Sequence, residues 1–267
     1  VELIFTLTLH EKDRNILELL KIYFGVGYIT QHGKNTFQYR VKSIKDLKLI
    51  VEHFEKYSLV TQKLGDFILF KLAMDLVAAK EHLKIEGLRK IVSIRAALNK
   101  GINENLKEAF SDLEILKRPV IEGKSVPHPQ WLAGFVSAES CFLVIIKNSS
   151  SNSCEHRAGV GLCFTLTQHK RDEKLIQTLV NYLGCGAVEI PLREVVNFKV
   201  IKLSDITSII IPFFQEYPIL GIKSEDFLDF KQVALLFQDK AHLTPEGLYK
   251  IRKIKIGMNK GRIPLLN

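Results

Sequence analysis

The residue that most invites a chemical reading is Glu139, the last position of the run PQWLAGFVSAE, which precedes the alternating segment SCFLVIIK. Pro129 suits the start of a helix, and the run carries small side chains at Ala133, Gly134, Ser137 and Ala138. These form two pairs spaced i to i+4, Ala133 with Ser137 and Gly134 with Ala138. Small residues at that spacing let two helix backbones approach closely. The pattern predicts a helix ending at Glu139 and a strand from Cys141 to Lys147, so the carboxylate is delivered to a fixed point at the helix foot. A fixed carboxylate is what metal-assisted phosphodiester cleavage requires. A second string, Asp229-x-Lys231, fits the acid-x-lysine pattern of another nuclease class. Its counterpart earlier in the chain is Leu69-x-Lys71, inside the same predicted helix, so it reads as helix decoration.

Stepping out from Glu139, composition narrows the partners. Lys and Arg total 38 against 29 Asp and Glu, a formal charge of +9, and such a field attracts polyanions. Nucleic acid is the first candidate. Of the four cysteines, Cys141, Cys154, Cys163 and Cys185, none forms a C-x-x-C pair. A chain of 267 residues does not need disulfide staples, so a reducing compartment fits. His156 follows Cys154 by two residues, but nothing else is spaced to complete a tetrahedral zinc site. No apolar run is long enough to cross a bilayer, and no secretory leader is visible at the start.

The elements that position Glu139 occur twice. FTLTLHEKDRNILELLKIYFGVGYI at 5–29 aligns with FTLTQHKRDEKLIQTLVNYLGCGAV at 164–188, with 10 identities in 25 positions. Further on, segments at 65–101 match 225–261 at an offset of 160, through the shared EGL and NKG runs. Two copies of one unit fix the architecture before any residue is interpreted. In each copy strand alternation (Glu2, Ile4, Thr6, Thr8 against Leu3, Phe5, Leu7) gives way to helical spacing after Asp13, and then to a hairpin turning at His32–Asn35. Residues 47–54 and 67–79 are predicted helical. The expected division is a first repeat at 1–103, a linker at 104–130 that starts helical and becomes extended around Pro119, Pro127 and Pro129, and a second repeat at 131–267. The class is α+β with pseudo-twofold symmetry, which on DNA suits two half-sites.

Alternation also predicts a reading surface. Gln38, Arg40 and Lys42 share one strand face opposite Phe37, Tyr39 and Val41, and Asn197 with Lys199 repeats the pattern. Arg and Gln on such a face can make bidentate hydrogen bonds to guanine and adenine edges. Glu2, Thr6, Thr8, Tyr28, Thr30, Lys147, Thr165 and Thr167 join the set from the other strands.

WLAGFVSAES resembles the LAGLIDADG motif of the homing endonucleases in residue sizes, acidic end and following strand. The paired FTLT-x-H-x-x-D segments and the EGL helices extend that resemblance over essentially the whole chain. The resemblance implies a duplicated αββαββα fold, with two antiparallel four-stranded sheets forming a DNA-binding saddle and two abutting motif helices. It implies a site-specific, Mg²⁺-dependent double-strand DNA endonuclease, with Ca²⁺ replacing Mg²⁺ without cleavage. It further implies a monomer with internal symmetry, a duplex target of about 22 base pairs, and an origin in mitochondrial introns. Carried over by position, Glu139 is the catalytic metal ligand and the Ala138 carbonyl its helper. Gln168 positions water near the scissile phosphate, and Lys63 and Lys223 flank it and neutralise developing charge. The sequence departs from the pattern at Ser140, where the family usually has Gly, and at Leu9, which stands where Gln168 does in the second copy. The first motif helix is expected about two dozen residues upstream of Val1 by the repeat offset. A second reading is a non-cleaving relative that binds intron RNA as a maturase, by shape rather than sequence.

Overall fold

Strand β1 (Phe5–His10) alternates half-buried and exposed residues, because Phe5, Leu7 and Leu9 face a core while Thr6 and Thr8 face outward. The computed structural model describes residues 1–98, 101–123, 125–147, 159–191 and 194–262. Cys154, His156 and the Asn99-Lys100 part of the first NKG run lie outside them. The chain divides into two compact units, residues 1–123 and 124–267.

In the first unit β1 leads into α1 (Arg14–Phe24), then the hairpin β2 (Tyr28–Gln31) and β3 (Thr36–Val41), then α2 (Ile44–Lys56), α3 (Lys63–Ala78), α4 (Ile85–Ala97) and α5 (Glu104–Ala109). Ser43 caps α2 by accepting from the Asp46 N–H at 3.1 Å. The sheet is antiparallel in the order β1-β3-β2. It therefore has three strands among the described residues, not the four that the resemblance implied. Its core gathers Leu17, Tyr39, Val41, Leu47, Ile50 and Val51. The buried Tyr39 hydroxyl donates to the Val26 carbonyl at 2.8 Å, which keeps its polar end satisfied.

The second unit contains α6 (Pro129–Glu139), β4 (Ser140–Lys147), β5 (Gly159–His169), α7 (Glu173–Leu183), β6 (Ala187–Glu189) and β7 (Val195–Val200). It continues through α8 (Leu203–Asp205), a π turn (Ile206–Ile210), α9 (Ile211–Glu216), α10 (Lys223–Gln238) and α11 (Pro245–Ile256). Its antiparallel sheet runs β4-β5-β7-β6, and Phe142, Phe164, Phe198, Phe214 and Phe230 fill the core. Where the first unit has the regular helix α2, this one has the π turn. Pro212 has no N–H to extend the helical ladder, and the Thr207 and Ser208 hydroxyls donate back to the Leu203 and Ser204 carbonyls. The stretch read as a linker is divided. Residues 104–123 belong to the first unit, where Ser93 Oγ donates to the Glu114 carbonyl at 2.7 Å and accepts from the Leu116 N–H at 2.8 Å.

The repeated G-x-G after α1 and α7 sets how each hairpin leaves its helix. Gly25 has φ of 67° with nothing within 4 Å of an added Cβ, whereas at Gly27 (φ 81°) a Cβ would stand 2.7 Å from the Arg40 carbonyl and 2.7 Å from the Tyr39 ring. Gly184 and Gly186 repeat the contrast. Gly25→Ala should therefore cost about 1 kcal/mol, for the left-handed backbone alone. Gly27→Ala should cost roughly 3 kcal/mol, because backbone and ring must also give way. Urea denaturation of both variants checks this, and equal losses would contradict it.

Candidate functional site

Helix α6 is capped at its start by His128, whose Nδ1 accepts from the Gln130 N–H at 3.2 Å. At its foot the chain turns straight into β4. Ser140 closes the helix with φ of −100° and ψ of 169°, ordinary extended backbone that any L-residue adopts. The glycine usual in the family is thus not needed here. The Ser140 hydroxyl, buried, donates to the Val136 carbonyl at 2.7 Å. Glu139 is left exposed on the last turn, and its carboxylate has no hydrogen bond or ion pair among the described residues. The last carbonyls of a helix lack intrahelical donors, Ala138's among them, and the helix end carries partial negative charge.

The two small-residue pairs face different ways. Ala133 is buried, and Ser137 Oγ both donates to the Ala133 carbonyl at 2.8 Å and accepts from the Leu220 N–H at 3.0 Å, so this pair seats α6 on its own unit. Gly134 and Ala138 are exposed, and an added Cβ at Gly134 meets nothing within 4 Å. Only the second pair presents a small-residue face.

Lys223, first residue of α10, donates from Nζ to the Ser140 carbonyl, which puts its ammonium one residue from Glu139. Gln168 follows from strand register. Ser140 pairs with Leu166 and Gln168 with Val196, so Gln168 lies on β5 two residues beyond the partner of Ser140. Glu139, Ala138 and Lys223 thus stand together at the foot of α6, within the second unit. Lys63 occupies the equivalent place at the start of α3, exposed, in the first unit. Leu9, the counterpart of Gln168, pairs with Phe37 and packs on the core.

The donor set at the foot of α6 suits a hard divalent cation. It is all oxygen, a free carboxylate and a helix-end carbonyl, and Mg²⁺ is commonly held by one or two carboxylates with waters and substrate phosphates completing the shell. No cluster of three or more His, Cys, Asp or Glu side chains that could hold a metal occurs among the described residues. Asp229, of the acid-x-lysine string, accepts from Arg262 at 2.5 Å, which fits the structural reading of that string.

The outward sheet faces carry the predicted polar residues in register. In the first unit Thr6, Arg40 and Tyr28 form one cross-strand row and Thr8, Gln38 and Thr30 the next. Gln38 donates to Thr8 Oγ1 at 3.0 Å, and Arg40 Nε is buried without a partner. Glu2 and Lys42 lie just outside the strands as an ion pair at 2.7 Å, and the Lys42 hydrogen bond holds the Glu2 carboxyl below its ordinary range. In the second unit Thr165 pairs with Lys199 and Thr167 with Asn197, Thr167 donating to Asn197 Oδ1 at 2.7 Å. Lys199 is bonded to Glu189, and that contact raises its pKa. Lys147, exposed, stands opposite Gly159.

Sequence reasoning overlooked the scaffold around Lys223. Asn259, in left-handed backbone at φ 55°, donates its N–H to Asp226 at 2.9 Å and its side-chain amide to the Phe142 carbonyl at 3.0 Å, while Cys141 Sγ donates to its Oδ1 at 3.1 Å. The shared NKG run was the visible signal. Cys141, Leu143 and Ile145 also alternate with buried Phe142 and Val144 on β4, so they share the outward face with Lys147.

A family model described as LAGLIDADG endonuclease matches residues 1–74 and 132–234. The chain is 39% identical over 254 residues to "Probable intron-encoded endonuclease 3" of Neurospora crassa, covering 94% of this chain and 47% of that protein. It is 37% identical over 265 residues to "Probable intron-encoded endonuclease 2" of the same fungus, covering 94% and 57%. The chain thus spans about half the length of the curated relatives it matches. Among solved structures, the I-SmaMI LAGLIDADG homing endonuclease bound to cleaved DNA superposes with a TM-score of 0.93 at 47% identity, covering 97% of this chain and 87% of that one. I-SmaMI on an uncleaved DNA target in the presence of calcium ions superposes at 0.92 and 47% identity, covering 97% and 88%.

Burial pushes the Cys141 thiol up against the opposing pull of Lys223, pushes Cys163 up likewise, and takes Cys185 to about 11. The thiolate is the nucleophile, so at pH 8 all three should resist iodoacetamide in the native protein and react on denaturation. Peptide mass spectrometry reads this directly, and rapid native labelling of Cys141 would contradict the packing described.

Proposed function

The chain belongs to the LAGLIDADG endonuclease family, and on that premise we propose that it is a site-specific endonuclease acting on double-stranded DNA with Mg²⁺. Its target is a duplex of about 22 base pairs spanned by the two repeats, its gene lies in a fungal mitochondrial intron, and it acts there as a monomer. The observation that carries this reading is the foot of α6: an exposed Glu139, without a hydrogen bond or ion pair among the described residues, beside Lys223, in a unit whose strands β5 and β7 carry Thr165, Thr167, Asn197 and Lys199 in register.

Glu139 and the Ala138 carbonyl would hold the cation. The chemistry a divalent ion supplies there is polarisation of a phosphoryl oxygen and activation of water. Glu139 brings negative charge to a point that backbone geometry fixes in advance, so little reorganisation accompanies binding. Gln168, with an amide that both donates and accepts, orients water against the scissile phosphate. The Lys223 ammonium has three N–H donors. One is engaged by Ser140, leaving two for phosphate oxygens as charge develops. Lys63 has the same role from the first repeat.

Specificity comes from the sheet faces. Arg40 and Gln38 have the side-chain forks that match guanine and adenine edges. Their neighbours Thr6, Thr8, Tyr28 and Thr30, with Glu2 and Lys42 at the margin, complete the first surface. Thr165, Thr167, Asn197, Lys199 and Lys147 form the second. The buried, unpartnered Nε of Arg40 and Oγ1 of Thr165 support this reading, since unpaired buried polar atoms are costly unless a ligand or water completes them.

Glu139→Gln in the full-length protein should lower single-turnover cleavage of the intron-insertion DNA by at least about 100-fold, with DNA affinity little changed. Chelating Mg²⁺ should stop cleavage and leave binding. Wild-type cleavage by Glu139→Gln would end the catalytic assignment. Tight RNA binding with no cleavage of any insertion-site DNA would replace the reading with a maturase. On the reading face, Arg40→Ala should weaken target binding by about 1–3 kcal/mol and relax discrimination at one base pair, whereas Lys147→Ala should weaken binding alike for all sequences. Competition binding against a panel of single-base variants separates the two.

A further inference from the structure

Lys63 and Lys223 each begin a helix, α3 and α10, and three residues further on each helix has an aspartate, Asp66 and Asp226. Both aspartates are held by an arginine. In the first unit Arg118 donates from Nη1 to Asp66 at 2.5 Å and from Nη2 to the carbonyl of Gln62, the residue before Lys63, at 2.9 Å. In the second, Arg262 donates to Asp226 from Nε at 3.0 Å and from Nη2 at 2.8 Å, and also reaches Glu225 and Asp229.

These arginines are not copies of each other. The repeat offset places Ile102 where Arg262 stands, and Arg118 comes from the stretch between the repeats. Two unrelated segments of chain have supplied the same cation to the same acid. Helix stability alone does not require this, because an aspartate in a first helical turn already interacts favourably with the helix dipole. What the two places share is the lysine one turn earlier. Lysine is a mobile four-carbon stem with a point charge, so where its ammonium rests depends on how firmly the turn beneath it is fixed. In the second unit the same aspartate also accepts from the Asn259 N–H, and Asn259 donates to β4, tying the first turn of α10 to the strand that begins beside Glu139.

We propose that Arg118 and Arg262 are positioning residues for Lys63 and Lys223, fixing the first turn of α3 and of α10 so that each ammonium meets a phosphate oxygen. The inference rests on the reading of both lysines as phosphate-facing donors in cleavage. Misplacing a reacting group by about 1 Å can cost roughly 100-fold in rate, which gives the clamp its leverage.

Two double-mutant cycles in the full-length protein test it, with single-turnover cleavage in Mg²⁺ and DNA affinity measured separately in Ca²⁺. Arg262→Gln should slow cleavage by about 10-fold or more while affinity stays within roughly twofold, and it should add nothing in a Lys223→Met background. Arg118→Gln should behave in the same way towards Lys63→Met. An arginine substitution that slows the lysine variant by the same factor as the parent, or lowers affinity and rate together, overturns the proposal and makes the clamp purely structural. Should Arg262→Gln fail to fold, the Arg118 cycle decides, since its aspartate side chain is already 23% exposed and tolerates loss of its partner better. If Lys63→Met and Lys223→Met both cleave at the parent rate, the reading of the lysines is itself wrong. If they are slow and the arginine effects are independent, only the positioning inference falls.

Discussion

A serine hydroxyl at the foot of α6, bonded back to the Val136 carbonyl in a buried position, sits where the chain exchanges helical for extended backbone without a connecting loop. Everything proposed for the chemistry depends on that junction. A loop there would leave the carboxylate of Glu139 free to wander. Direct continuation into β4, whose Phe142 packs against Phe164, Phe227 and Phe230, anchors the acid to the largest aromatic cluster in the unit. Ser137, bonded to the Leu220 N–H, adds a second fastening just before the start of α10.

The sheet faces follow a different logic. Several of their polar groups are already coupled to each other, Gln38 to Thr8, Thr167 to Asn197, Lys199 to Glu189 and Lys42 to Glu2. Such couples keep solvated side chains ordered at small cost, since exposed ion pairs contribute little net stability. A nucleic acid arriving at this surface would exchange one set of hydrogen bonds for another. Affinity then comes chiefly from displaced counterions, and discrimination from the few groups that find a better partner on a base edge.

Much of this was legible in the sequence because it is carried by short-range periodicity. The helix Pro129–Glu139, the hairpin around residues 32–35 and the shared rows of Thr6, Thr8, Gln38 and Arg40 are read from spacings of two and three to four residues, and the structure has them. Duplication supplied the rest of the architecture. What periodicity could not reach was the partnership of residues far apart in the chain. Asn259 meets Cys141 and Phe142 across more than one hundred positions, and the repeated NKG run marks the residue without naming its partners. The orientation of the small-residue pairs was equally hidden, because Ala133 and Gly134 differ by one step around the helix and only tertiary packing decides which is covered.

The attachment of residues 104–123 to the first unit, through Arg89 with Asp112, Ser93 with Glu114 and Arg118 with Asp66, changes what counts as a repeat. The second unit holds the first turn of α10 with Arg262, a few residues beyond α11, whereas the first holds that of α3 with Arg118, well beyond α4. An engineer exchanging halves between relatives would therefore have to cut after this strap rather than before it. A chimaera joined at the end of α4 would inherit the first half's acid together with a foreign arginine, or none.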